Sequence, residues 1–301
     1  HGIPQMLKAR FLCGAKCVLV LVMLLTLTAC SGTRFFYNKL DTLIDWYVDD
    51  YVTLSREQSA DFQNRVDQLL EWHRREELPA YAQLLTDFER SLDPSLNEQS
   101  VATLFDELSV AADRLEVRIL DLMIEFGATL SLAQREEFML ALEEEQEEQR
   151  ERLLSRSDEV YRDNVQEQFS DNLSRFLGRL TDQQKETLAL HTRDYQRFDD
   201  AWIADRARWT KELAAVITRN TTNWPSEVHD VLARREATRS PEYVAVYAHN
   251  RALSQTVFTE VINQRTPKQD RRLRRKIGNY RDDFIALAAE AEPFSPAATG
   301  L

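Results

Sequence analysis

The chain has 301 residues, of which 50 are acidic and 38 basic, and its net charge is −12. Such an acidic surface disfavours nucleic acid as a partner. The three cysteines, seven glycines and eight prolines are too few for a disulfide-rich chain or for the turns of a β-rich or α/β chain of this length.

The first 29 residues have the pattern of a signal peptide. Three basic residues precede an apolar run at positions 17–27, which is too short to cross a bilayer core of about 30 Å. The sequence opens with His1, and we expect Met6 to be the initiator.

The apolar run ends in Leu27-Thr28-Ala29-Cys30, which resembles the bacterial lipobox. The resemblance implies cleavage between Ala29 and Cys30 and attachment of lipid, including palmitate, to the new N-terminal cysteine. An ordinary signal peptide or an anchor helix with a chance cysteine is the alternative. Ser31, where a lipoprotein of the inner membrane would have aspartate, favours the outer membrane, facing the periplasm, in a Gram-negative host. The processed chain would keep no free thiol for a disulfide, a metal or catalysis.

Beyond the signal peptide, apolar residues recur at helical spacing, as in Leu40, Ile44 and Val48. The sequence therefore predicts an all-α fold, an elongated multi-helix bundle with long amphipathic helices. It forms one domain over residues 30–292, followed by a disordered tail at 293–301. The predicted helices are 34–52, 56–75, 79–91, 98–126, 132–176, 182–217, 226–238, 242–264 and 268–291.

The longest predicted helix, 132–176, contains neither glycine nor proline. Its middle, 143–152, lacks apolar residues, and a segment so polar is typical of a solvated bridge between two bundle-like ends. A hinge that interrupts the helix is the alternative.

Four short motifs have the same form. Leu-[Ser/Thr]-x-x-Gln begins at Leu54, Leu130 and Leu180, and Thr266 begins a fourth copy without the leucine. Each copy predicts a capping box, in which the hydroxyl and the glutamine bind the first free amides of a helix. The motif also resembles the L-T-x-x-Q motif of periplasmic stress chaperones of the Spy and CpxP type, which implies binding of unfolded clients without ATP.

A broader resemblance begins at the proposed lipidation site. The segments CSGTRFFYNKLD (30–41), DWYVDDYV (45–52) and WHRREELP (72–79) are similar to a family of uncharacterised proteobacterial lipoproteins. The similarity runs through most of the processed chain. It implies a lipoprotein and supplies no activity or site residues.

The sequence offers little that would support catalysis. His73 and Glu76 share a helix face and could begin a metal site. The Glu-x-x-His pattern that di-iron bundles repeat on two helices has no copy in the sequence, however, and we expect no metal and no cofactor. His73 is instead expected to be partly buried or ion-paired. Trp202 and Trp209 lie on one stripe, which favours bundle core over a client-binding surface.

One basic segment stands out in this acidic chain, and it is the candidate site for an anionic ligand. Three hypotheses remain: pairing with the acidic segment 143–151, binding of anionic lipid or lipopolysaccharide, and docking of an acidic protein. Its residues are Arg271, Arg272, Arg274, Arg275 and Lys276, with Arg265 and Lys268 just before them.

Taken together, these patterns predict a non-enzymatic, lipid-anchored cell-envelope lipoprotein that acts as a scaffold or interaction module. Its expected partners are the membrane, through the N-terminal lipid, and envelope proteins or unfolded clients. A chaperone-like client binder and an enzyme of unknown type are the alternatives.

Overall fold

In the computed structural model, residues 32–40, 44, 48, 50–219 and 221–291 are described, and over these residues the chain is helical without a strand. This confirms the all-α fold. The helices are α1 (Gly32–Tyr37), α2 (Arg56–Trp72), α3 (Leu78–Ser91), α4 (Glu98–Gly127), α5 (Leu132–Leu154), α6 (Asp158–Leu177), α7 (Asp182–Thr192), α8 (Asp199–Ile217), α9 (Trp224–Arg234), α10 (Pro241–Asn263) and α11 (Pro267–Ala289). The lipobox-like segment 27–30, the predicted tail at 293–301 and most of 41–49 lie outside the described residues.

All four predicted capping boxes are present. Ser55, Ser131, Thr181 and Thr266 each accept a hydrogen bond from the amide three residues later, and the glutamine there accepts from the cap amide. These four residues therefore start helices α2, α5, α7 and α11, because each box satisfies amides that a helix start leaves free.

Helices α2 and α3 form one continuous rod, which corrects the predicted break between 75 and 79. A π-turn, His73–Glu77, joins them. Pro79 lies in the first turn of α3 and has no amide proton to donate, so the rod lacks one backbone hydrogen bond directly after the π-turn. The rod ends at Ser91, just before Asp93-Pro94 as the sequence indicated.

Two predicted helices are each divided in the structure. The span 132–176 breaks at residues 155–157, where the Ser157 hydroxyl accepts from the amide of Val160 and starts α6. The span 182–217 breaks at residues 193–198.

The polar segment 143–152 is helical but is not a solvated bridge, because Gln149 is buried and Gln146 donates to the Thr210 hydroxyl at 2.5 Å. Hydrogen bonds between side chains allow this polar segment to pack against α8.

Three apolar clusters hold the helices together, and α11 contributes to two of them. Tyr280, Phe284 and Leu287 join the first cluster with residues of α2, α3 and α4. Leu273 and Ile277 join the second with residues of α6, α7 and α10. The third cluster lies between α5, α8 and α9, where Leu213 and Val216 are buried and Trp209 is partly buried. The predicted core position is confirmed for Trp209, whereas Trp202 belongs to none of the three clusters and lies against the Arg206 guanidinium.

None of the helices in the described part of the chain is both long and apolar enough to span a membrane.

Candidate functional site: a cationic helix face and two buried polar clusters

The predicted basic segment lies on α11, and the helix divides its cations between two faces. Arg274 binds Asp270 and Asp93, at 3.0 and 2.7 Å, and Arg265 binds Asp270 at 2.7 Å. Further along, Arg281 binds Glu89 at 2.9 Å. The pairs of Arg274 with Asp93 and of Arg281 with Glu89 fix α11 to the end of α3, so the guanidinium of Arg274 is occupied within the fold. The predicted pairing of the basic segment with 143–151 is wrong for Arg265 and Arg274.

The remaining cations of α11 share its outer face, which we call the outer cationic face. At 3.6 residues per turn they occupy an arc of about 140°. Among the described residues none of these five is paired with a carboxylate. Lys268, Arg271 and Arg275 are exposed, and Arg272 and Lys276 are half-buried.

Arg272 fixes this face to the end of α6. Its Cδ lies 3.2 Å from the position that a Cβ on Gly178 would take. Gly178 has φ +81°, a conformation that L side chains rarely adopt. The Nε of Arg272 is buried without a hydrogen-bond partner in the described structure. A close backbone approach at Gly178 therefore holds this guanidinium beside α6.

The glutamines of the four capping boxes pair with one another across the fold. Gln58 and Gln134 exchange side-chain hydrogen bonds of 3.1 and 2.8 Å. Gln184 and Gln269 do the same at 3.2 and 2.9 Å. Each box therefore joins two helix starts that are far apart in sequence. The motif spacing predicted the caps but gave no sign of this pairing.

The second pair is fully enclosed. Gln184 is 0 % and Gln269 4 % exposed. Gln184 Nε2 also donates to the Val261 carbonyl at 3.2 Å, and Gln269 Nε2 to the Arg179 carbonyl at 3.1 Å. These bonds fix the N-terminal end of α11, and with it the start of the outer cationic face, against α6, α7 and α10.

A second polar cluster surrounds the π-turn. Glu77 is 2 % exposed and forms a bidentate pair with Arg114, at 2.7 and 2.8 Å. His73 Nδ1 lies 2.8 Å from the Tyr37 hydroxyl, which lies 3.3 Å from the Leu70 carbonyl. The Tyr37 hydroxyl has one proton, which it donates to the Leu70 carbonyl. The contact with His73 is therefore a hydrogen bond as well when His73 carries its proton on Nδ1 and donates it to the hydroxyl oxygen.

Burial sets the charge states in this cluster. It lowers the pKa of His73 to about 4, and it raises the pKa values of Tyr37 and Tyr81. All three rings are therefore neutral near pH 7. The expectation that His73 is partly buried is confirmed.

The predicted neighbour of His73, Glu76, is exposed and binds Arg75 at 3.1 Å instead. Sequence reasoning missed the buried carboxylate next to it, Glu77. Within the described residues no group of three or more His, Cys, Asp or Glu side chains is placed to hold a metal ion.

Fold and clusters together define an all-α, multi-helix protein whose paired polar groups join distant helices. The chain belongs to a family of unknown function (DUF6279), whose model matches residues 50–244. No curated protein and no solved structure showed significant similarity to the chain. The match covers α2 to α9 and stops before the basic segment of α11.

Proposed function

We propose that the protein is a lipid-anchored lipoprotein of the cell envelope and acts there as a non-enzymatic scaffold or interaction module. The observation that carries this proposal is the lipobox, Leu27-Thr28-Ala29-Cys30, placed directly before a docked helix. Helix α1 begins two residues after Cys30, so a lipid on that cysteine would hold the bundle close to the membrane.

Contacts of α1 support a short tether. Thr33 is 2 % and Tyr37 4 % exposed. Arg34 forms an ion pair with Glu290 at the end of α11, and Asn38 donates to the same carboxylate at 3.3 Å. Because both ends of the described chain meet here, a pull on Cys30 would act on the bundle itself and not on a loose linker.

The arrangement of polar groups supports a scaffold. The buried polar groups of the two clusters bind one another, as in Glu77–Arg114 and Gln184–Gln269. What the fold offers to a partner is its outer surface, with the outer cationic face on α11 and the exposed glutamates of α5.

Replacing Cys30 by serine tests the anchor, because only the thiolate of cysteine can accept the lipid. The Cys30→Ser protein is expected to lose labelling by radioactive palmitate and either to leave the membrane fraction or to remain uncleaved. Cys17→Ser, within the signal peptide, is the matched control and should keep the label. Palmitate incorporation into the Cys30→Ser protein would contradict the proposal. A shift of the Ser31→Asp protein to the inner-membrane fraction would support the outer membrane as the normal location.

A client-binding role is the second candidate, and a partly exposed aromatic patch favours it. Phe198 contacts Tyr243 with ring centres 4.8 Å apart, and Tyr243 stacks on Tyr247. Val244 is 52 % exposed beside them, and such apolar surface can bind other proteins. Suppression of client aggregation by the full chain would distinguish this role from that of a passive scaffold.

A further inference from the structure

We propose that the outer cationic face of α11 binds the anionic lipid headgroups of the leaflet that holds the protein. The proposal rests on the lipid anchor at Cys30 and adds a second membrane contact. It concerns three exposed cations, Lys268, Arg271 and Arg275, together with the half-buried Arg272 and Lys276.

Charge is the first argument. The chain has twelve more acidic than basic residues, so most exposed cations can find a carboxylate nearby. On the other face of α11, Arg274 and Arg281 each bind a carboxylate. Five like charges on one face, without carboxylate partners among the described residues, repel one another. A polyanionic surface relieves that repulsion, and each lysine or arginine near an anionic leaflet is attracted to it.

Position along α11 is the second argument. Asp283 accepts a hydrogen bond from the Thr33 side chain, and Glu290 binds Arg34, so α1 docks on the C-terminal half of α11. At about 100° per residue, positions 283 and 290 lie in the same arc as Arg272. The anchored segment and the cationic face therefore lie along one side of a single helix, where one flat surface can reach both. The exposed carboxylate of Asp282 also lies on this side, about 9 Å beyond Lys276 along the axis.

Exposure near the anchor is the third argument. Phe35 of α1 is 62 % exposed, although it is large and apolar. Lys39, four residues later, is also exposed. An aromatic ring and a lysine beside a lipid anchor suit the interface between headgroups and acyl chains.

The chemistry of the ligand follows from the side chains. Guanidinium and ammonium groups recognise phosphate oxygens, arginine through its planar set of donors. From 268 to 276 the cations cover about 12 Å of helix, which suits a flat array of singly charged phosphodiesters better than one small anion. The lipid anchor adds to this attraction, because a lipid anchor combined with a polybasic patch binds a membrane more stably than a lipid anchor alone.

A fluorescent label just beyond the C-terminal end of the face tests the proposal. Asn279→Cys introduces a thiol one turn beyond Arg275, on the same side of α11. The lipidated full-length protein, labelled there, is reconstituted into vesicles that contain headgroup-quenching lipids. One set is phosphatidylcholine, and the other is phosphatidylcholine mixed with phosphatidylglycerol. We expect stronger quenching on the mixed vesicles and loss of this difference in roughly 0.5 M salt, where charges are screened beyond a few ångströms.

The decisive variant is Lys268→Glu/Arg271→Glu/Arg275→Glu, which should lose the extra quenching on mixed vesicles. Its matched control, Arg56→Glu/Arg152→Glu/Arg193→Glu, changes the net charge equally at exposed positions on other segments and should keep it. Thermal unfolding followed by circular dichroism checks that both variants remain folded.

Several outcomes would overturn the proposal. Equal quenching on both vesicle types, or equal loss in both triple variants, would show that the face does not contact lipid. If the first triple variant no longer cross-links to an acidic protein that the wild type does cross-link to, and its quenching is unchanged, the face is a protein-docking surface instead. Failure of the wild-type protein to float with either vesicle set would instead count against the anchor at Cys30.

Discussion

His73 lies where the N-terminal segment meets the π-turn. Its Nδ1 is bonded to the Tyr37 hydroxyl, Tyr81 and Trp72 contact its ring, and Arg74 and Glu77 are the nearby charges. A protonated imidazole would bring a charge into this enclosed site and would have a second N–H to satisfy. The neutral ring is therefore part of what holds α1 on the bundle.

The free energy of unfolding should depend on pH through this residue. Burial lowers the pKa of His73 from 6.5 to about 4, so between these values the unfolded chain binds more protons than the folded one. Stability is then lost as pH falls from 6.5 to about 4, by about 3 kcal/mol in all. Urea unfolding at pH 7, 5.5 and 4.5 should show a shallower decline in the free energy of unfolding for His73→Gln, whose side-chain amide can still donate to the Tyr37 hydroxyl.

His229→Gln provides the control, because it makes the same substitution at an exposed histidine of α9 and leaves the His73 site unchanged. The loss of stability between pH 6.5 and about 4 should persist in this variant. A His73→Gln protein whose stability falls as steeply as that of the wild type would show that His73 is not the group that titrates.

At the residue scale, the sequence predicted which side chains are buried better than it predicted which side chains bind one another. Burial of His73 follows from its place three residues after Leu70, on the continuation of the apolar stripe of α2. The neighbour that matters is Glu77 rather than Glu76, because the π-turn changes which side chains point inward. A π-turn leaves no clear mark in the sequence, and Arg114, the partner of Glu77, comes from another helix. Long-range pairs of this kind depend on the tertiary fold.

The capping boxes show how an element can serve two purposes. Each glutamine binds its own cap amide and also the glutamine of a second box. In the Gln184–Gln269 pair both side chains are buried, whereas Gln58 and Gln134 are half-exposed. Loss of one partner should therefore cost more in the buried pair, where water cannot replace it.

We expect Gln184→Ala to lower the free energy of unfolding by about 2–3 kcal/mol, since Gln269 and the Val261 carbonyl would each lose a buried partner. Gln58→Ala, the matched change in the exposed pair, should cost about 1 kcal/mol or less. Urea denaturation of both proteins gives the comparison.

A double-mutant cycle on Gln184→Ala and Gln269→Ala should show a coupling of about 0.5–3 kcal/mol, as is found for residues in direct contact. Strictly additive effects, or equal losses in the two pairs, would contradict the assignment of Gln184–Gln269 as the more important contact.

At the element scale, helix starts were easier to predict than helix breaks. Ser55, Ser131, Thr181 and Thr266 start helices as the motif indicated, because a cap depends on neighbours within four residues. The breaks at 155–157 and 193–198 contain neither glycine nor proline. Contacts from distant segments accompany the first break: Arg156 binds the buried Asp199 at 2.5 Å, and Arg197 donates to the Leu153 carbonyl. Such contacts cannot be inferred from the local sequence.

For the whole molecule, α11 is the helix that completes the bundle. It lies beyond residue 244, where the match to the family ends, yet it contributes large buried side chains to the first two apolar clusters. Leu273, Ile277 and Leu287 are at most 2 % exposed. The unit that folds is therefore larger than the segment by which the family is recognised.

A chain that ends at Arg265 tests this conclusion. Five buried apolar side chains of α11 would be lost, each worth about 1.5–3 kcal/mol, and their sum is comparable with the whole stability of a typical domain, about 5–15 kcal/mol. We expect the shortened chain to bind a hydrophobic dye and to unfold without a cooperative transition in urea. A chain that ends at Ala291 is the control and should unfold like the full protein. Cooperative unfolding of the chain ending at Arg265, with an unchanged midpoint, would be the contrary result.

The position of α11 also determines when the protein can fold. Phe62 and Phe284 belong to one apolar cluster, and Arg34 and Glu290 are separated by 256 residues. During synthesis the early helices must therefore wait, with part of their apolar faces uncovered, until α11 has been made. Contacts so distant in sequence slow folding and prolong the exposure of apolar surface. The nascent chain is consequently most prone to aggregation just before α11 emerges, and a ribosome that stalls before that point leaves it in that state.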